Sequence, residues 1–197
     1  MQSIATGTEL LLSSKPYSAI VFDEFVEVKI DGTNGDETIH CKLLCGADGA
    51  HSWVRRNFRM GNPRETMIGF QIEVTGYNGD SGMLDMYTGK NISPGFFSWA
   101  IPTGDTTRIG TWTKAELMNG LSSEQYLDKL LQDQKINSRF RLCSEVARFC
   151  GPVPSGIVRK PLIERVALFG DSAGVCKPTT GGGIGPGFNQ VDLLVPR

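Results

Sequence analysis

Val166-Ala-Leu-Phe-Gly-Asp-Ser-Ala-Gly-Val-Cys-Lys-Pro-Thr-Thr-Gly-Gly-Gly-Ile184 decides how this chain is read. A short apolar strand, Arg165–Phe169, ends at Gly170-Asp171. An aspartate at a strand end can accept hydrogen bonds from the hydroxyls of a sugar or polyol. Pro178 sets a rigid bend. Gly181, Gly182 and Gly183 let the backbone pass close to a flat ligand before a helix begins at Ile184. The bland alternative is a mobile glycine loop. The chain has 24 glycines, and they concentrate in this segment.

A second string lies upstream, Cys45-Gly-Ala-Asp-Gly-Ala-His-Ser-Trp-Val-Arg-Arg56. An apolar strand, Lys42–Cys45, runs into a turn of small residues, and Ala50–Phe58 has helical character. Ala47, Asp48 and Gly49 stand where that helix starts. The free N–H groups of a helix start favour an anion such as a pyrophosphate. Arg55 and Arg56 are expected either to pair with phosphate or to face solvent. Asp-Gly by itself would be a turn and cap; the longer string is far more specific.

Together the two strings resemble the flavoprotein family built on the p-hydroxybenzoate hydroxylase fold, over roughly Glu37–Gly185. Gly46–Arg55 is similar to that family's Asp-Gly motif, and Gly170–Gly183 to its Gly-Asp motif. The resemblance implies FAD as cofactor. It places Asp48 near the pyrophosphate, Asp171 on the ribityl chain and Pro178–Gly183 beside the flavin ring. Ala47, Gly49, Gly170, Gly181, Gly182, Gly183 and Ile184 complete the implied cofactor set. The start of the helix after Gly183 would then face the N1–C2=O edge of the ring and stabilise the reduced anion.

The middle of the chain resembles the geranylgeranyl reductases. Phe97-Ser-Trp-Ala-Ile-Pro102 is similar to their (Tyr/Phe)-x-Trp-x-Phe-Pro signature, and Gly110 follows after seven residues, where the signature continues Gly-x-Gly. Two positions depart from it: Ile101 replaces Phe, and Trp112 replaces the second Gly. The resemblance implies that Phe97, Trp99, Ile101 and Pro102 bind an isoprenoid lipid, and that reduced flavin gives hydride to its double bond. NADPH or another donor would supply the electrons. No side chain is singled out as catalytic, and Cys176 reads as a buried inert thiol. Alternation along a strand facing a core is the plainer account of Phe97, Trp99 and Ile101.

Around these motifs the pattern is mixed α+β and α/β. Residues 1–60 read as a partial FAD-binding domain, 61–160 as an antiparallel substrate sheet with helices on one face, and 161–190 as a return to the first domain. Leu10–Ser13, Ala19–Phe22, Phe25–Ile30 and Glu37–Cys45 read as strands, with Pro16 separating the first two. Thr66–Thr75, Met83–Tyr87, Phe96–Ile101 and Thr107–Trp112 read as the antiparallel sheet. Ser122 caps the clearest helix, and Arg139–Phe149 is expected to form another. Residues 191–197 end in Leu194-Val-Pro-Arg197, which matches the left half of a thrombin site and reads as a tag remnant, native sequence being the alternative.

No Gly-x-Gly-x-x-Gly loop is present. The chain is therefore expected to lack the strands that such a segment supplies, to expose the edges of Lys42–Cys45 and Arg165–Phe169, and to bind FAD poorly alone. Self-association or a separately supplied N-terminal half would relieve those edges. A net charge of -1 argues against a nucleic-acid partner. Five cysteines without a CxxC pair and only two histidines argue against a metal site. With no apolar run near ~20 residues, no transmembrane segment is expected. The location expected is cytoplasmic, with peripheral membrane contact through a lipid substrate. Two further functions stay open: a flavin monooxygenase of small aromatics, and a non-catalytic half of a split flavoprotein.

Overall fold

The computed structural model describes residues 7–33 and 35–194, so of the tag-like tail 191–197 the last three residues, 195–197, lie outside the described ones. Three sheets organise the described residues. The first is an antiparallel meander of β1 (Lys15–Val21), β2 (Val26–Gly32) and β3 (Gly35–Cys41). Val26, Val28 and Ile30 alternate along β2 and bury one face. Leu10–Ser13 is not a strand, and Leu10 and Leu12 are exposed. Pro16 does not separate two strands but lies inside β1, where the register slips between Pro16 and Ser18. An edge strand tolerates the missing N–H.

The second sheet brings the two motifs together. β4 (Leu44–Gly46) runs parallel to β11 (Val166–Leu168), and β10 (Leu162–Ile163) flanks β11 on its other side. The expected strand Glu37–Cys45 is thus broken at Lys42-Leu43, where the chain changes sheets. Lys42–Cys45 does lie at an edge, but Arg165–Phe169 does not. β11 is central, with all three residues buried, and its hydrogen bonds are satisfied from both sides. α1 (Trp53–Asn57), shorter than the expected Ala50–Phe58, follows β4. Val54, Met60, Val166, Leu168 and Ala173 form the core between them.

The third sheet is antiparallel, in the order β6 (Asp85–Tyr87), β7 (Ser98–Pro102), β8 (Thr107–Lys114), β5 (Glu65–Thr75), β9 (Ser144–Ser155). α2 (Ser123–Leu131) covers one face. Leu127 and Leu130 pack on Phe70, Ile72, Val74 and Ile109 there. Ser122 and Gln125 form a capping box at its start. The expected helix Arg139–Phe149 is absent. Asn137–Arg139 is one 3-10 turn, and Ser144–Ser155 pairs along the whole of β5. Long-range pairing overrides local propensity here, and Pro152 and Pro154 sit on an edge strand that can hold them.

α3 (Ile184–Leu194) follows the glycine segment. Its Ile184, Phe188 and Leu193 are exposed. No helix among the described residues is long and apolar enough to cross a membrane.

Candidate functional site

The parallel pair β4–β11 aims both motifs at one end of its sheet, since Leu168 stands opposite Gly46. Ligands of open α/β sheets gather at this carboxyl end. Close packing requires Gly46, because a Cβ there would meet Leu168 Cδ2 at 2.8 Å and Val54 Cβ at 2.9 Å.

Asp48 occupies the start of α1 itself. Its Oδ2 accepts from the N–H of Trp53 at 2.6 Å and of Val54 at 3.1 Å, while Ser52 Oγ accepts from Arg55 N at 2.9 Å. Three N–H groups at the start of α1 are therefore engaged by the protein's own side chains. Arg55 departs from expectation. It neither reaches outward for phosphate nor faces solvent. The side chain is buried, with Nη1 donating to Ser172 O at 2.9 Å and Nη2 to Ala50 O at 2.7 Å. Partial desolvation pulls its pKa down, opposed by the Asp48 charge. Arg56 is exposed. Ala47 is exposed too, and Gly49, at φ +74, faces open space.

In the second motif, Gly170–Ala173 forms a 3-10 turn. Ser172 is wholly buried and ties the turn to both strands. Its Oγ donates to Gly46 O and accepts from Phe169 N. Gly170 N donates to Gln190 Oε1 of α3 at 2.9 Å, which fixes the helix to the turn. Asp171, the neighbour of Ser172, is exposed. Desolvation pushes its carboxyl pKa up, and no hydrogen bond or ion pair offsets that among the described residues. Gly183 lies beside it, a Cβ there falling 3.9 Å from Asp171 Oδ1. Gly170 and Gly182 likewise meet no crowding. Pro178 is exposed on this loop, and Ile184 opens α3. Cys176 is buried, which raises its thiol pKa, with Asp171 adding to the effect. It is a poor nucleophile.

The face of the third sheet away from α2 carries an aromatic wall. Phe97, Trp99 and Trp112 meet with ring centroids 5.2 to 6.1 Å apart. Trp99 is anchored by its indole N–H, which donates to Gln71 Oε1 at 3.3 Å. The wall, Ile101, Leu84 and Met86 line a cavity of about 380 Å³, closed on the loop side by Thr179 and Thr180. Pro102 ends β7 and lies outside this lining. Phe97, Trp99 and Ile101 thus border a cavity beside the glycine loop, while Trp99 is also buried. Trp112 couples wall and loop. Gly181, at φ +68, lies so close that a Cβ would overlap the Trp112 ring.

Sequence reasoning treated Trp112 only as a departure and did not single out Leu84 or Met86, whereas Thr179 and Thr180 lie in the segment it set beside the flavin ring. The available signal was strand alternation, since Trp112, Gly110 and Arg108 share a face. Among the described residues no group of His, Cys, Asp and Glu could hold a metal ion.

The FAD binding domain family matches residues 23–194. A protein of Nicotiana tabacum, geranylgeranyl diphosphate reductase, chloroplastic, is 30% identical over 161 residues, 79% of this chain and 33% of that protein. Digeranylgeranylglycerophospholipid reductase of Methanococcus vannielii is 26% identical over 93% of this chain and 47% of its own length. Among solved structures, a geranylgeranyl bacteriochlorophyll reductase-like protein of Thermoplasma acidophilum has a TM-score of 0.81 at 20% identity, covering 95% of this chain and 48% of that one. Anhydrotetracycline hydroxylase of Streptomyces rimosus has a TM-score of 0.68 at 18% identity, covering 95% and 38%. At these identities the solved structures show the fold alone. The chain spans a third to about half of the length of these relatives.

Proposed function

This chain belongs to the FAD binding domain family, and from that membership we propose that it is part of an FAD-dependent oxidoreductase that reduces isoprenoid double bonds of lipids. The observation that carries the proposal is a juxtaposition. An apolar aromatic cavity abuts the glycine loop through Trp112, Thr179 and Thr180. An apolar chain entering it would lie beside the loop without needing a polar partner. The reductase relatives point to the same substrate class.

The residues present fit FAD. Asp171 is a free, partly desolvated acceptor suited to a ribityl hydroxyl, and Gly170, Gly182 and Gly183 leave uncrowded backbone beside it. Bound FAD supplies two-electron redox chemistry at such a site. The chain's own part is to hold and to exclude. Asp171 and the loop would fix the cofactor, and the α3 start would face the ring. Phe97, Trp99, Ile101 and Trp112 would seat the substrate chain and keep water from it, with Pro102 at the margin. Ala47 and Gly49 would pass beside the pyrophosphate. Asp48, already spent on α1, would act there through the turn it fixes. We assign residues 1–60 and 161–190 to the cofactor part and 61–160 to the substrate part. NADPH or another donor would supply electrons, and a lipid substrate implies peripheral membrane contact. The exposed Ile184, Phe188 and Leu193 of α3 support a further protein surface against it, from a second copy or a nucleotide-binding segment.

A second reading, hydroxylation of a small aromatic, draws on one observation: the meeting of Trp99 with Trp112 bounds the cavity compactly. Titration of the chain's tryptophan emission separates the two. A four-isoprene diphosphate should change the emission saturably, and p-hydroxybenzoate should neither change it nor compete. Saturable binding of the aromatic alone would reverse the assignment.

A further inference from the structure

The sheet face that bears the aromatic wall holds a second cavity. It measures about 340 Å³ and lies toward β9, with Gly69, Gly151, Phe149 and Val153 in its lining. The first cavity, about 380 Å³, lies toward β6 and the glycine loop. The two share Trp99 and Trp112 and no other lining residue. Resting on the isoprenoid reading above, we propose that Trp112 determines substrate length: with Trp99 it forms a partition between the cavities, so that the site takes a short apolar chain and excludes the remainder of a long one.

The register explains how a partition can stand there. Trp112 on β8 faces Gly69 on β5, which in turn faces Gly151 on β9, and Trp99 on β7 faces Gly110 on β8. Each indole is laid over a neighbouring glycine. A Cβ at Gly69 would come within 2.6 Å of Trp112 Nε1, and one at Gly110 would overlap Trp99. The two indoles close against each other edge to face, with centroids 5.2 Å apart at 67°. Gly151 is the opposite case. A Cβ there meets nothing within 4 Å, so the floor of the second cavity is open. Trp112 occupies the position at which the resembled signature carries glycine. Removing its side chain would therefore leave three facing glycine positions, 69, 112 and 151, and one continuous apolar trough.

Length selection is measurable by binding alone. Each buried CH₂ tightens binding by about fourfold, so an isoprene unit of which even two carbons are admitted to an apolar cavity tightens it by about tenfold or more. Prenyl diphosphates of two, three and four isoprene units are titrated against the full 197-residue chain, with its tryptophan emission as the signal. The wild-type affinity should level off along this series. Trp112→Gly should go on gaining, so that its preference for four units over two exceeds that of wild type by about tenfold or more. The double variant Trp112→Gly/Gly151→Leu, with the second cavity refilled, should lose the gain. Should Trp112→Gly unfold by circular dichroism, Trp112→Leu is read on the same ratio. Equal length preference in wild type and variants overturns the partition while leaving the isoprenoid reading intact. No saturable binding of any prenyl diphosphate by any of the proteins overturns both.

Discussion

Asp48 and Asp171 each follow the end of one strand of the same parallel pair, yet the fold uses them in opposite ways. Asp48 turns inward along the chain and accepts two N–H groups of α1. Asp171 sits one residue before the buried Ser172 and makes no such bond. One carboxylate completes the local structure; the other is held out by it. A motif aspartate can thus be left without a partner at the surface or be engaged in fixing a turn, and sequence position alone does not separate the two cases.

The partner that joins the two motifs gives the largest expected effect. Arg55 ties Ala50 to Ser172 across the parallel pair. Arg55→Ala would leave both carbonyls short of a buried donor. The loss is moderated because Arg55 Nε is itself buried without an acceptor. A net destabilisation of about 2 kcal/mol is expected, a fall in Tm of roughly 6 °C for a chain of this size. A fall below about 1 °C by thermal circular dichroism would mean that the motifs hold their places independently, and the contrast between the aspartates would lose its structural basis.

Asp48→Ala comes next. It strips a capping acceptor and a negative charge from the start of α1, while Ser52 still caps Arg55 N. The expected loss is about 1 kcal/mol, roughly 3 °C in Tm. Asp48→Asn keeps an acceptor and should lose less. If Asp48→Ala melts like wild type but weakens flavin binding, Asp48 shares the direct ligand role proposed for Asp171.

The strand-turn character of both motifs, the antiparallel middle sheet and the Ser122 cap were legible in the sequence because each is a local pattern. Arg55 was not. Its direction depends on Ser172, 117 residues away, and only the pairing of β4 with β11 brings them together. β9 was misread for the same reason. Its first half carries helix-compatible residues, and only β5 makes it a strand. Trp112 was noticed as an exception to a pattern, but its contact with Gly181 arises from two segments that strand alternation cannot relate.

The smallest expected effect carries the sharpest test of the contrast, because its sign differs from the others. The folded-state carboxyl of Asp171 has its pKa raised above the ordinary 3.8 by desolvation. A raised carboxyl pKa means that the folded state favours the protonated form. The stability this confers is fully present below the unfolded pKa and is lost as pH rises through the folded one. Near pH 7 the ionised side chain is therefore a small liability in the unliganded chain. Asp171→Asn, neutral and nearly isosteric, should melt higher than wild type there, by on the order of 1 °C given the exposure of the site. The difference should vanish below about pH 4. The same variant should bind flavin more weakly, because an amide is a poorer acceptor for a ribityl hydroxyl than a carboxylate is. Stability and binding would then move in opposite directions, the signature of a group retained for a ligand. A lower Tm near pH 7 would instead give Asp171 the same internal, structural use as Asp48.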